Sequence, residues 1–334
     1  MINNQPILNW FDNPNDCLIL LDRETSNKLA LRLKNRYVFN KNIKDEFDDC
    51  KFLYRLKYNK PIKIRTLKKI LARISLNFYN YNRCINSIGS RNFMLNTDFP
   101  IKLNKTESAI LVAAFMSDGN NQDQHPFYAN IGFLGNKILK IVQHYVPNIP
   151  WEIRNEKIRF HPILSRILLK LEVPIGNKTI INPKIPNFIY QNKKYMKAYL
   201  TQVFDDEGYA PTRTSRKMVL GRSVALKDLP RNFISTLIYN KKIYFNCLPE
   251  DIKKIVNKQP PNLLEDEHNL LKEFGIRSAL RCRGICKYLD TISADWVIEV
   301  YGKENIEKFN KEIGFSHPDK VKQINSYLDS YTVK

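Results

Sequence analysis

Glycine, histidine and long apolar runs are all scarce in this 334-residue chain, and each shortage removes a class of function. The 11 glycines form no phosphate-cradling loop, which argues against an ATP-driven enzyme. The five histidines (His125, His144, His161, His268, His317) make no HExxH pair or close cluster, so a His-centred metal or nucleophilic triad lacks support. The longest apolar runs, such as 109–116, fall far short of the ~20 residues that cross a bilayer, so no membrane partner is expected. Residues 1–20 carry Asp12 and Asp16 and lack the basic start of a secretory signal. The six cysteines (Cys17, Cys50, Cys84, Cys247, Cys282, Cys286) are scattered through a chain too long to need staples, a pattern of reduced thiols in the cytoplasm. Cys282 and Cys286, four apart with His268 upstream, lack the spacing of a zinc ribbon or finger.

Negative charge is also short. Lys+Arg number 54 against 33 Asp+Glu, a net +21 that suits a polyanionic partner, nucleic acid above all. The imbalance is local. Residues 1–50 hold 7 basic and 8 acidic side chains, whereas residues 51–97 hold 11 basic and no acidic ones. A Lys-, Asn- and Ile-rich composition of the kind an AT-rich genome encodes accounts for part of the lysine excess. It does not account for 47 residues without a carboxylate.

The first fifty residues mix apolar pairs with the acidic clusters Asp45-Glu46 and Asp48-Asp49 and show no clean period. In TLKKILARIS, Thr66 is a candidate cap and Leu67, Ile70, Leu71 and Ile74 form one apolar stripe of a helix. NFYNYNRCINSIGSRN, which follows, reads as a basic helical subdomain, with a helix-turn-helix as the sharper alternative. Residues 98–106 read as a linker. Beyond it YANIGFLG reads as a strand, NKILKIVQHYV as a helix, WEIRNEKIRFH as a hairpin turning near Asn155-Glu156, and PILSRILLKLEV as a helix. SRKMVLGRSV, LLEDEHNLLKEF, ADWVIEVYG and ENIEKFNKEIGF read as strand, helix, strand and helix, so the order of elements repeats.

Two helices stop on an acid followed by glycine. TESAILVAAFMSDGN spans 106–120, with Thr106 as candidate cap and Gly119 suited to a left-handed closing position. NKKYMKAYLTQVFDDEGYA spans 192–210, with Asn192 as candidate cap and Gly208 closing it. Ala109, Ala113 and Ser117 make a small-residue stripe that admits a second helix. A carboxylate at a helix C-terminus costs a few tenths to ~1 kcal/mol against the helix dipole. Asp118 and Glu207 incur that cost twice, 89 residues apart. Paired carboxylates at the base of packed helices suit Mg²⁺, which takes a couple of carboxylates plus water and phosphate oxygens.

Here the sequence resembles the LAGLIDADG homing endonucleases. LVAAFMSDG (111–119) and LTQVFDDEG (200–208) stand where that family has its two signature helices. LEVPIGNKTIINPKIPNFI and WVIEVYGKENIEKFNKEIGFSHPDK resemble the family's flanking segments, and the likeness covers about residues 104–330. It implies an α+β fold of two pseudo-twofold αββαββα repeats, at 104–190 and 191–334. Residues 1–103 form a basic, mainly helical N-terminal region, and the second repeat carries an insertion around 228–262. It implies Mg²⁺ or Mn²⁺ at Asp118 and Glu207 with the adjoining Gly119 and Gly208, and catalytic assistance from Lys178 and Lys320. DNA contacts are expected from Arg154, Lys157 and Arg159 on the hairpin. On the next strand, Arg216 and Arg222 share one face and Lys217 takes the other.

The function so implied is a monomeric, site-specific endonuclease that breaks both strands of double-stranded DNA and leaves short 3′ overhangs. Two alternatives stay open: a silent DNA-binding regulator on the same fold, and a maturase acting on intron RNA. The chain starts at Met1 and ends in TVK rather than an intein's His-Asn tail, which favours a free-standing, intron-encoded enzyme in the cytoplasm, associated with the nucleoid in a prokaryote. Three departures from the family pattern stand out. Met116 replaces the first motif's sixth-position acid, and Gln202 and Asp206 occupy places where small residues are usual. Gln202 is expected to hydrogen-bond across or along the motif helices. Asp206 is expected to point away from their seam, toward solvent or a basic side chain.

Overall fold

The computed structural model describes residues 6–36, 47, 51–90, 93–103, 105–123, 125–212, 214–239, 241–288 and 291–330. The clusters Asp45-Glu46 and Asp48-Asp49, together with Cys50, lie outside the described residues. The fold is α+β: four antiparallel sheets among the described residues, with helices packed on one continuous core. None of the described helices is long and apolar enough to cross a membrane. Cys17, Cys84, Cys247, Cys282 and Cys286 are free thiols.

The N-terminal region comprises β1 (Ile7–Leu8), β2 (Leu18–Leu21), α1 (Arg23–Arg36), α2 (Phe52–Lys57), β3 (Ile62–Lys63), α3 (Ile64–Arg73), β4 (Ile85–Gly89), β5 (Met94–Asn96) and β6 (Ile101–Lys102). It is less helical than expected, because a sheet of order β3-β2-β4-β5 forms its centre. Thr66 lies inside α3 and caps nothing; it is fully buried, and its Oγ1 donates to the Phe47 carbonyl at 3.3 Å. Phe78–Cys84 is a seven-residue 3-10 helix leading into β4, and no helix-turn-helix forms among the described residues of this stretch. Its conformation follows from long-range bonds. Trp10 Nε1 donates to the Phe78 carbonyl at 3.1 Å, and Asn82 Nδ2 donates to Asn9 Oδ1 at 2.9 Å. The expected linker is structured as well, since β6 pairs with β1 and Leu103 is buried.

The middle of the chain contains α4 (Thr106–Met116), β7 (Gly119–Asn120), β8 (Phe127–Tyr128), α5 (Phe133–Tyr145), β9 (Trp151–Arg154), β10 (Lys157–Phe160), α6 (Ile163–Lys170), α7 (Lys178–Ile181) and α8 (Asn187–Tyr190). α4 is apolar around its circumference, as a helix enclosed by the core must be, and Leu111 through Met116 are fully buried. Leu111, Val112 and Phe115 each contribute about 1.5–3 kcal/mol on burial. Thr106 is the first helical residue rather than its cap, and Lys105 in the cap position makes no side-chain capping bond; its Nζ lies 3.3 Å from His144 Nε2 instead. The strand expected across YANIGFLG is only β8, because Asn130 Oδ1 accepts from Gly132 N at 3.0 Å and turns the chain into α5. The β9–β10 hairpin turns where expected, on Asn155 and Glu156 at φ 50° and 57°, the left-handed pair that suits a two-residue hairpin turn.

The last third contains α9 (Lys193–Asp206), β11 (Lys217–Ala225), α10 (Arg231–Thr236), β12 (Lys242–Tyr244), α11 (Glu250–Asn257), α12 (Asn262–Glu273), β13 (Ala279–Tyr288), β14 (Thr291–Tyr301), α13 (Lys303–Glu312) and α14 (Pro318–Asp329). Asn192 caps α9 as expected, its side chain accepting from Lys194 N at 2.8 Å. The sheet orders are β7-β8-β10-β9 and β11-β14-β13-β12, with Tyr209 bridged to Val219 beside β11. With β12 set aside, both groups run from motif helix to a short edge segment, its neighbour, a crossover helix and then two strands whose spatial order is reversed. Residues 228–262, where an insertion is expected, contain α10, β12 and α11, and β12 pairs with β13 at the edge of the second sheet. Strands of the first sheet have 2–4 residues; β11, β13 and β14 have 9–11. α4 and α9 pack against each other and bring their C-terminal ends together.

Candidate active site

A cleft of about 1080 Å³ opens where α4 and α9 end, and Asp118, Glu207, Lys178 and Lys320 all line it. Glu207 closes α9, and Asp118 lies one residue beyond the closing Ser117 of α4. Gly119 and Gly208 follow, but neither has the left-handed φ expected of it. Each is required by close approach. A Cβ on Gly119 would sit 2.8 Å from Phe115 Cα, and one on Gly208 would sit 2.7 Å from Phe204 Cδ1.

Two lysines close the helix ends in the same way. Lys178 Nζ donates to the carbonyls of Phe115 (3.4 Å), Ser117 and Gly119 (2.8 Å). Lys320 Nζ donates to those of Phe204 (2.8 Å), Asp205 (2.5 Å) and Gly208 (2.7 Å). These carbonyls lie at helix ends, where backbone donors run out; that of Phe204 also accepts from Gly208 N at 3.1 Å, and an ammonium there complements the dipole. Burial, with the nearby Arg222 charge adding to it, pushes Lys178 down to about 8. Burial lowers Lys320 as well. The glycine carbonyls expected beside a metal are thus already engaged by ammonium groups.

Asp118 is pushed above the usual carboxylate range, by burial first and then by the Glu207 charge. Two acids facing one cleft, with their charges opposing each other, are a donor set that a divalent cation would relieve. Mg²⁺ fits such a set, its other positions being filled by water and phosphate oxygens. Among the described residues no group of three His, Cys, Asp or Glu side chains converges as a full metal cage.

The seam between the helices differs from expectation at one residue. Gln202 is fully buried and bonds along its helix, with Nε2 donating to Asp206 Oδ1 at 2.9 Å and to Tyr128 OH at 3.4 Å. Asp206 does not turn away. It accepts from Tyr128 OH on β8, and burial pushes its carboxyl up to about 8. With no basic side chain bonded to it, a proton is the cheapest way to neutralise it. Gln202 Oε1 and Asp206 Oδ2 are buried without partners among the described residues.

The expected DNA-contacting residues divide into two sets. On the first sheet Lys157 pairs with Arg154 and Arg159 with Glu152, so all four share one face, while Ile158 and Phe160 turn into the core. On β11 Arg222 and Lys217 take opposite faces, as expected. Lys217, Val219, Gly221 and Ser223 face the cleft, whereas Met218, Leu220 and Val224 face the core. Arg222 shares the core parity, and its side chain is only 7% exposed. It contacts Glu207 at 3.1 Å and Glu267 at 2.6 Å at the wall of the cleft, so its guanidinium is already engaged by two carboxylates. Arg216 is exposed just outside the strand. Glu299 bridges Lys217 (2.6 Å) and Arg281 (2.5 Å), and Asp295 pairs with Lys242 (2.6 Å), so basic groups that sequence reading missed share this face.

Asp205 was also missed. It accepts from Ser316 N at 3.0 Å and His317 N at 3.1 Å, capping the helix that carries Lys320. The signal for Arg222 and Glu267 was present. Glu267 interrupts the stripe Leu263, Leu264, Leu270, Leu271, and Arg222 falls between Leu220 and Val224. Two opposite charges at core positions imply a pair. The chain matches no known family model and no curated protein.

Proposed function

We propose that this chain is a LAGLIDADG-type, site-specific endonuclease that hydrolyses both strands of double-stranded DNA, built on two pseudo-twofold repeats. The observation that carries the reading is the meeting of Asp118 and Glu207 in one cleft at the ends of two packed helices, each closed by its own lysine. When bound, Mg²⁺ or Mn²⁺ would polarise the scissile phosphate and make a water more acidic. Asp118 and Glu207 would hold the cation. Lys178 and Lys320 keep positive charge beside the phosphates while fixing the two helix ends. The basic face of Arg154, Lys157 and Arg159, and that of Lys217, Arg281 and Lys242, lie along the duplex on either side. Their ion pairs with Glu299 and Asp295 would exchange for phosphates. Compartment, monomeric state and an intron origin belong to the same proposal.

A second reading, a silent DNA-binding protein, has one observation in its favour: Arg222 already occupies an oxygen of Glu207. One experiment separates the two. The purified chain is incubated with Mg²⁺ and a pool of random duplex DNA, and the broken ends are sequenced. Recurrent breaks in both strands at one site support the endonuclease. Specific retention of one sequence without breaks supports the silent binder.

A further inference from the structure

The guanidinium of Arg222 stands beside the two cleft acids without a part in the chemistry above. Its Nε donates to both Glu267 oxygens at 3.0 and 2.9 Å, and its Nη2 donates to Oε1 at 2.6 Å. Glu267 is fully buried and also accepts from Tyr199 OH at 3.1 Å. The opposite edge of the guanidinium faces the motif helices. Nη1 donates to the Met116 carbonyl at 2.9 Å and lies 3.1 Å from Glu207 Oε2, while Nη2 donates to Ser117 Oγ at 3.3 Å. One planar fork therefore ties β11, α12, the end of α4 and the acid that closes α9. A lysine, a single charge on a flexible stem, cannot span these partners at once. A buried ion pair is a poor source of net stability, so its place against Glu207 points to a use. Among the described residues Asp118 forms no such ion pair.

We propose that Arg222, itself held by Glu267, is a positioning residue that fixes the Glu207 carboxylate for a divalent cation. With Oε2 held by the guanidinium, Glu207 would present a fixed carboxylate to the cation. The two cleft acids are then unequal, Glu207 clamped and Asp118 free to adjust. This inference rests on the metal site of the proposed endonuclease.

The test is a titration of Mn²⁺ into the full chain without DNA. The free ion is followed by electron paramagnetic resonance, and the unfolding midpoint of each variant is recorded. Glu267→Gln keeps the side-chain shape but leaves Arg222 without its buried counter-charge, so the guanidinium draws on Glu207. Mn²⁺ affinity should fall about 10-fold or more, the usual effect of losing a partner that orients a ligand. Arg222→Lys keeps the charge, loses the fork and should weaken binding in the same way. Tyr199→Phe removes one bond to Glu267 without touching the Arg222–Glu207 contact. It should lower the midpoint and leave affinity as in the wild type, which separates positioning from plain structural support. Asp118→Asn separates the two possible failures. If it leaves binding unchanged, or the wild type binds no Mn²⁺, the metal site is wrong and the positioning role falls with it. If Asp118→Asn weakens binding while either Arg222→Lys or Glu267→Gln, shown folded by its midpoint, binds as the wild type does, the role of Arg222 is overturned and the metal site stands.

Discussion

Lys178 donates from Nζ to the carbonyl of Gly119 at 2.8 Å, locking the turn that presents Asp118. Its ammonium reaches three carbonyls with no other cation among their bonds, so Lys178→Met should cost about 2 kcal/mol or more in urea unfolding. A change within the error of measurement would mean the lysine is free in solution and available to phosphate.

The same lysine sets a pH dependence. Burial pushes it down to about 8 from an ordinary 10.5, so between those values the unfolded chain binds more protons than the folded one. Its contribution to stability therefore rises with pH across that window and is at its lowest below pH 8. The unfolding free energy of the wild type minus that of Lys178→Met should grow from pH 8 to 10.5; a flat or falling difference contradicts the burial.

Asp206 gives the opposite slope. Its carboxyl, raised by burial to about 8 from an ordinary 3.8, holds a proton in the fold that the unfolded chain has already released. Stability from this group is full below pH 3.8 and is lost as pH rises through 8. Asp206→Asn should therefore stabilise the chain relative to the wild type, and by more at pH 8 than at pH 4. Equal effects at both values would place Asp206 in water.

Gly119→Ala and Gly208→Ala should each destabilise by about 1–3 kcal/mol, because the added Cβ meets the backbone of Phe115 or Phe204. Guanidinium unfolding measures this directly. A neutral result at either position would show that its helix end can open by a few tenths of an ångström.

The elements around the motifs were legible because their patterns are long. α4 is apolar on every side, α9 carries a side-chain cap at Asn192, and the Asn155-Glu156 turn separates two alternating runs. The N-terminal sheet was not legible. β3 and β5 have 2 and 3 residues, too few for a period, and the LILL run of β2 has no polar partner to alternate with. Arg222 was misplaced for a different reason. Parity in a strand says which residues share a face, not which face meets the core, and Leu220 and Val224 should have decided it. The glycines were correctly singled out but given the wrong cause, since close approach and a left-handed turn leave the same residue in the sequence.

The acid-free stretch should take part in binding DNA. Lys57 and Lys60 are exposed beside Tyr58 and Tyr54, with their ammonium groups 5.3 and 5.0 Å from the ring centroids. Replacing both by alanine should weaken binding to duplex DNA and reduce the slope of log affinity against log salt by about 1–2. An unchanged slope would turn this face away from the duplex.

At a cleavage site mapped from random duplex DNA, the most direct measurement compares double-strand breakage in Mg²⁺ by the wild type, Asp118→Asn and Glu207→Gln, with DNA affinity recorded for each. Both variants should bind as tightly as the wild type, or slightly more so through lost repulsion of phosphate, and make no double-strand break. Breakage at the wild-type rate by either variant would contradict a metal held between the two helix ends.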